Sequence, residues 1–435
     1  MRKRIDLLNF LGLCCIFSVF LDKAIRGVYA FDLYLNYPIF LLFLVVEVIK
    51  KGRIVLPPRW FMLGCMAVFI CSLLVLIVNN MLGFEYWKQV FGIMFSSIVY
   101  YNVLYVFRFN IKWIFDRYLT FAFWVALAGV IDNILHIAGI HLSTYMPIGP
   151  FLYRESSIMG EPFYLGLALT PAVAYYLSYF RRTWAQEKFR FLIILLCYLV
   201  TYSSIAVAGF VMSVFLSLYL NDYFNARKNR LILAPFFIVP VVVLTSTLIN
   251  NVKLINVRFV DTGNLFLSSQ LNTSQAGRSN SSTFALYSNY VIARDSFLKD
   301  PLFGSGLGSH PLIYNETFLK YFPSVYLDMF GAQNQQDANS KFLRLLSETG
   351  LLGLSLFLWA YIKFFVKKRR IKSNQAKEIA AINYAIFIYI FLCLIRNGNY
   401  INIGFFLFTF IYYVSWRYIQ SSSKKTTRLV PSLTA

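Results

Sequence analysis

The chain has 435 residues, 58% of them hydrophobic and 19% aromatic, and only 14% charged. A soluble domain carries roughly 25% charged residues, so a water-soluble globule is excluded and a polytopic membrane protein is implied. The formal net charge of +22 would suit nucleic acid, but the basic residues sit where membrane orientation requires them, and nucleic-acid binding is excluded with the globule.

Taken in chain order, apolar runs long enough to cross a bilayer fall near 5–21, 28–49, 60–79, 89–107, 118–140 and 161–180. The run 191–220 is too long for one span and is interrupted by "TYSS" (Thr201 to Ser204), which divides it into two short helices. Further spans fall near 231–250, 346–366, 379–396 and 399–416. The fold class expected is therefore an all-α polytopic membrane protein of about twelve transmembrane helices. With Met1 inside, "RKR" at the start, "KKGR" from Lys50, "RR" at Arg181 and "KKRR" from Lys367 face the cytoplasm. The opposite loops hold scattered cations such as Lys23, Arg26, Lys88 and Arg154, which is the positive-inside pattern. Both termini are expected in the cytoplasm. No small-residue cleavage site follows the first apolar stretch, only "FLDKAIRG", so that stretch is expected to be retained as a span. The six cysteines (Cys14, Cys15, Cys65, Cys71, Cys197, Cys393) lie inside apolar runs and read as small core residues. No metal or cofactor is expected.

Two external segments carry the chemistry-bearing residues. In the first, 141–160, "FLYRESSIMGEPFYLG" sets Arg154, Glu155 and Glu161 at the mouth of the sixth span. Glu161 is either a favourable charge at a helix N-terminus or a functional carboxylate. Asp132 and His136 share a face of the fifth helix one turn apart, as a structural pair or as functional groups at membrane depth. The second segment is a large, partly helical loop over 251–345, between the ninth and tenth spans; it separates a unit 1–250 from the last three spans and tail, 346–435. A connection of that length is usually functional or disordered. A polar stretch (268–283, with "AGRSNSS") precedes a helix, "STFALYSNYVIARDSFLKD", whose Phe284, Tyr287, Val291 and Leu298 share one face. Asp300-Pro301 ends it. The run "PLFGSGLGSHP" reads as a tight turn permitting close backbone approach. A nucleotide loop would need glycine where Ser309 stands, and a β-α-β unit around it.

The next stretch, "QQDANSKFLRLLSETGLLGLSLFLW" (Gln335 to Trp359), begins charged and ends apolar. Asp337 or Asn339 is expected to cap the helix. Lys341, Arg344 and Glu348 fall on one stripe, with Arg344 and Glu348 paired at i, i+4. That stripe is expected to face a hydrated cavity or the loop above it, as the floor of an external site.

These motifs together resemble the O-antigen polymerase and O-antigen ligase superfamily of bacterial envelope polysaccharide synthesis. "KDPLFGSGLGSH" is similar to its Pro-Leu-x-Gly-x-Gly turn, and "LLSETGLLGL" to its helix that enters the membrane after Glu-x-Gly. "ESSIMGEPFYLGLAL" resembles the segment before its middle helices, "TYSSIAVAGF" its Ser-containing break, and Gly277-Arg278 its loop arginine. The resemblance covers roughly 150–366. Arg154 and Arg294, each followed by glycine twelve positions on (Gly166, Gly306), echo paired Arg-Gly elements of some polymerases. Ligases carry a His-Asn pair before the Glu-x-Gly helix, where this chain has Asp337-Ala338-Asn339, and the departure favours a polymerase.

The resemblance implies a glycosyltransferase that joins undecaprenyl-diphosphate-linked oligosaccharide repeat units of O-antigen, capsule or exopolysaccharide. It would work on the periplasmic face of the inner membrane, with a chain-length regulator and a flippase as partners. Arg278 and Arg294, supported by Arg154, would hold the leaving diphosphate, and Asp337 or Glu161 would act as base. Glu155, His310, Asn339, Arg344, Glu348 and Tyr314 are expected at the substrate, with Tyr287, Tyr314, Tyr321 and Tyr326 stacking on sugar rings. The alternatives are a ligase with a lipid A core acceptor and, less favoured, a flippase or other transporter. A transporter would bind between repeated halves, and the sequence shows none.

Overall fold

Backbone groups surrounded by hydrocarbon have only one another to bond with, so apolar runs of membrane length fold as helices. The computed structural model describes residues 6–21, 36–140, 146–149, 152–221, 253–266, 276–371, 373–401 and 403–428. Its order is α1 (Leu7–Phe17), α2 (Asn36–Lys51), α3 (Arg59–Val78), α4 (Phe84–Val106) and α5 (Ile111–Ile137). A short antiparallel hairpin, β1 (Met146–Gly149) and β2 (Leu152–Arg154), pairs Met146 with Arg154. There follow α6 (Pro162–Ser178), α7 (Phe180–Gln186), α8 (Lys188–Val200) and α9 (Ser204–Leu220). Beyond them lie α10 (Lys253–Phe266), α11 (Ser281–Lys299), α12 (His310–Tyr321) and α13 (Val325–Phe330). The chain closes with α14 (Lys341–Lys363), α15 (Asn374–Arg396) and α16 (Phe405–Arg428).

The chain is a multi-pass membrane protein, almost wholly helical. Among the described residues α3, α4, α5, α14 and α15 are long and apolar enough to cross a membrane. A sixth crossing exists if α6 and α7, bent by 96° at their junction, make one span. The helical stretch Leu7–Phe20 and α9 are apolar but shorter. The expected span at 231–250 lies outside the described residues, as does the first part of 28–49. The long run 191–220 is divided as its polar interruption implies: α8 ends at Val200 and α9 begins at Ser204, with Tyr202 at a φ of 45° between them.

The most enclosed of the spans is α15, which packs against α6, α9, α14 and α16. Its buried Asn383 meets every demand of an amide in hydrocarbon. The oxygen accepts from the Val366 N–H at 3.0 Å, and the two N–H groups are shared among the carbonyls of Phe364 and Tyr412 and the Ser415 hydroxyl. Such a group ties neighbouring helices together, here fixing the far end of α14.

Outside the bundle, α11 buries Phe284, Tyr287 and Val291 against Tyr314, Phe318 and Phe322 in a small aromatic core. Leu298, expected on the same face, is exposed. The contact turns polar one helical turn earlier, where Asp295 accepts from Lys299, Lys320 and Tyr321 at 2.5–2.9 Å. Burial pushes the Asp295 carboxyl up, but the three hydrogen bonds outweigh it and hold the group well below the usual carboxylate range.

Candidate functional site

Helix α14 is broken. Gly350 has φ 56° and ψ −154°, which no helix accommodates. A break frees carbonyls and amides on both sides, and close to lipid each needs a partner. The glycine turn supplies them. Ser305 and Gly306 donate their N–H groups to the carbonyls of Ser347 and Glu348 at 2.9 and 2.8 Å. In return, Leu351 and Leu352 donate to the carbonyls of Pro301 and Leu302 at 2.9 and 3.0 Å. The two backbones meet at Gly304 and Gly350, both in the left-handed region. A Cβ on Gly304 would lie 2.7 Å from the Gly350 nitrogen, and one on Gly350 2.6 Å from the Leu302 carbonyl carbon. The glycine run is thus a clamp on a broken helix, the close backbone approach that its composition implies.

The charged half, 341–349, starts at Ser340, whose hydroxyl accepts from the Leu343 N–H. Neither expected residue caps it. Ala338 and Asn339 are left-handed, with φ of 56° and 57°, and a capping residue needs extended backbone. Asp337 instead accepts from the Asn339 N–H at 3.0 Å. The Arg344–Glu348 pair forms at 3.0 Å, with the two side chains 2% and 0% exposed. The other Glu348 oxygen accepts from the Tyr400 hydroxyl at 3.0 Å, and the Arg344 guanidinium lies 4.4 Å over the Tyr400 ring. The stripe therefore faces a loop, the connection from α15 to α16, not open water. Lys341 donates to the Asn399 carbonyl and lies 4.1 Å over the Phe405 ring. Arg396 reaches from the end of α15 to Ser282 at the start of α11 and to the Asn339 amide oxygen.

His310 joins three elements. Its Nε2 is 2.9 Å from the Asn289 side-chain oxygen, and the Asn289 nitrogen donates to the carbonyls of Ala285 and Gln333. Nε2 therefore carries the proton, and Nδ1, 3.0 Å from the Ser347 hydroxyl, accepts. Burial, with the Arg344 charge nearby, lowers the imidazole pKa to about 3. His310 is a neutral strut between α11, α12 and α14. The rings of Tyr287 and Tyr314, expected to stack on sugars, are closed into the aromatic core; Tyr321 and Tyr326 keep a partly open face.

Arg278, just before α11, and Arg294, on α11, are both exposed. Among the described residues neither guanidinium makes a hydrogen bond or ion pair. Arg154, Glu155 and Glu161 share the short segment leading into α6. Arg154 donates to the Thr201 carbonyl at 3.4 Å, at the break between α8 and α9. Glu155 is buried and accepts from the Ser157 N–H at 2.5 Å; burial raises its carboxyl pKa, and Asp132 adds to that. Glu161 occupies the N-cap position of α6 without a side-chain cap bond. Asp132 and His136 are 3.3 Å apart on α5.

The structure thus gathers Asp337, Asn339, Arg344, Glu348 and His310 around the clamped helix, and Arg154, Glu155 and Glu161 around the mouth of α6. Asn289, Ser347 and Tyr400 complete the first group and were not legible as site residues, since neither spacing nor charge marks them. Beside the first group, an apolar groove of about 190 Å³ opens between α3, α14 and α16, with Lys341 and Tyr400 at one end.

Residues 189–358 match the family model described as O-Antigen ligase. That segment is similar to the O-antigen ligase family. The matched segment holds the break at Thr201, the glycine clamp, α11, and most of α14 up to Leu358. The match agrees with the resemblance to the O-antigen polymerase and ligase superfamily, whose members are membrane glycosyltransferase-like enzymes. A comparison with curated proteins finds no match.

Proposed function

We propose that the protein is a polysaccharide polymerase that joins undecaprenyl-diphosphate-linked repeat units on the periplasmic face of the bacterial inner membrane. The observation that carries the choice is Asp337-Ala338-Asn339 at the head of the clamped helix, in a segment similar to the O-antigen ligase family, where ligases carry His-Asn. In this reading 251–345 is the periplasmic segment between the ninth and tenth of about twelve spans, and both termini are cytoplasmic. The acceptor hydroxyl attacks the anomeric carbon of the donor sugar. The bond to the diphosphate breaks, and the hydroxyl proton passes to Asp337 or Glu161. Arg278 and Arg294, exposed and without partners among the described residues, meet the charge that gathers on the leaving diphosphate with a bidentate fork. Arg154 supports them. The buried Arg344–Glu348 pair, Asn339 and His310 hold the helix that follows Asp337, and Glu155 does the same below Arg154.

The family description itself favours a second reading, ligation to a lipid A core. Deleting the gene separates the two. A polymerase loss leaves single repeat units on the surface carbohydrate in place of a ladder. A ligase loss leaves bare core. Unchanged banding rejects both.

A further inference from the structure

Arg278 exposes its guanidinium, yet the backbone that carries it is pinned. Ser279 turns back onto the Ala276 carbonyl through its N–H and its hydroxyl, at 3.1 and 2.7 Å. Gly277 lies against the Tyr326 ring, where a Cβ would stand 2.2 Å from a ring carbon. Asn280 donates its N–H and its side-chain amide to one oxygen of Asp261 on α10, both at 2.8 Å. A cation held this way is in place before an anion arrives, which is what stabilising a developing charge requires.

The turn that carries Asp337 is pinned from elsewhere, by the connection between α15 and α16. Gly398 packs so closely there that a Cβ would fall 1.4 Å from the Asp337 carbonyl oxygen. Two residues earlier, Arg396 stands half-buried at the end of α15 and reaches both turns. Its guanidinium donates to the carbonyl and the hydroxyl of Ser282, four residues after Arg278. At 3.0 Å it also donates to the side-chain oxygen of Asn339, two residues after Asp337. An exposed bond from Ser281 to Gln333 runs the same way, but it is neutral, and a bond from a charged donor is roughly twice as strong. A planar fork fixes direction as well as distance.

We propose that Arg396 is a positioning residue, whose guanidinium sets the separation between the Arg278 turn and the Asp337 turn. The role rests on the function proposed above, in which Arg278 meets the leaving diphosphate and Asp337 is a candidate for the base. Arg396 acts through these two groups and touches neither reacting atom. Such spacing matters because a misplacement of about 1 Å can cost on the order of 10²-fold in rate. Arg396 also lies beyond the matched segment 189–358, so the site is completed from outside it.

The test uses the full-length protein in nanodiscs and two readouts. The first needs no substrate: amide hydrogen exchange over 276–282 and 335–341, read by mass spectrometry. Arg396→Gln is expected to speed exchange in both segments, and Arg396→Lys to do so less. The second is turnover of the lipid-linked repeat units extracted from gene-deleted cells. Arg396→Gln is expected to lower kcat on the order of 10²-fold at unchanged KM and unchanged Tm. Arg396→Lys should recover part of this, since an ammonium cannot span both seats as a planar fork does. Combined with Arg278→Ala, Arg396→Gln is expected to add less than about threefold, because both changes spoil one arrangement. If Arg396→Gln melts early, Asn339→Gly decides: glycine keeps the left-handed backbone at φ 57° and removes only the amide seat, and the same loss of kcat is expected. Unchanged exchange in both segments overturns the proposal, as does normal kcat in folded Arg396 and Asn339 variants. A raised KM at normal kcat overturns it by making Arg396 a substrate contact. A loss that multiplies in full with that of Arg278→Ala puts the effect elsewhere and overturns it too. The two readings fail separately. A parent protein that joins no repeat units removes the polymerase, while exchange still decides the bridge. A working parent with a normal Arg396→Gln variant removes only the bridge.

Discussion

His310 donates through one ring nitrogen and accepts through the other, and protonation would remove the acceptor and turn the Ser347 proton to the Arg344 carbonyl at 3.2 Å. Its folded pKa of about 3 lies below the ordinary 6.5. Above pH ~6.5 neither folded nor unfolded imidazole is charged and nothing is lost. Between ~6.5 and ~3 the unfolded state takes up a proton that the folded state refuses, so stability falls as pH falls, by on the order of 1.4 kcal/mol per unit. Thermal melts from pH 8 to 5 are expected to show this slope, and His310→Gln, which cannot titrate, to lack its share of it. Equal slopes for the two proteins would refute the strut. The sharpest residue-level expectation for activity concerns Arg278, which supports no fold contact among the described residues. Arg278→Ala should stop polymerisation at unchanged membrane abundance, a loss on the order of 10²–10³ in rate, and Arg278→Lys should restore only part, since a point charge lacks the fork. A normal ladder from the alanine variant would remove Arg278 from the mechanism. Of the residue contacts, Arg344–Glu348 was legible because it is local. The bonds from His310 to Asn289 and Ser347 span 21 and 37 residues, and no periodicity reaches that far.

At the scale of elements, the mixed character of 335–359 is explained by the break. One helix does not serve two solvents; two half-helices meet at Gly350, and the glycine turn carries the hydrogen bonds across the junction. Gly350→Ala puts a Cβ onto the Leu302 carbonyl at a backbone angle that alanine resists, and Gly304→Val does the same from the other side. Each is expected to cost several kcal/mol (on the order of 3 or more) and to lower the yield of monodisperse protein, read by size exclusion and thermal shift. A neighbouring control, Gly331→Ala, has no atom near its added Cβ and meets only the angle strain of about 1–3 kcal/mol. Parent-like melting of Gly350→Ala would show that the clamp is not needed. The glycine turn was legible from its composition, but its partner was not, because "LLSETGLLGL" keeps an unbroken helical pattern across Gly350.

For the whole molecule, hydropathy was enough to give the class and most of the long helices. It was weaker on number, because α1, α8 and α9 have 11, 13 and 17 residues, short of the ~20 that a span usually needs. Sidedness is the decisive open measurement. Reporter fusions after Arg182 and Lys368 are expected to read cytoplasm, and fusions at Ser281 and Tyr314 periplasm. A cytoplasmic signal at Ser281 would put Arg278 and Arg294 on the wrong side of the membrane for a lipid-linked sugar.

The clamp also sets an order in time. Ser305 and its carbonyl partner at Ser347 are 42 residues apart, and a ribosome adds roughly 5–20 residues per second. The turn is therefore made roughly 2–8 s before the helix it grips, and until then water must serve its amides. Glu348 waits again, for Tyr400 lies a further 52 residues on. The charged half of α14 can therefore leave water only once α15 and the connection behind it have emerged.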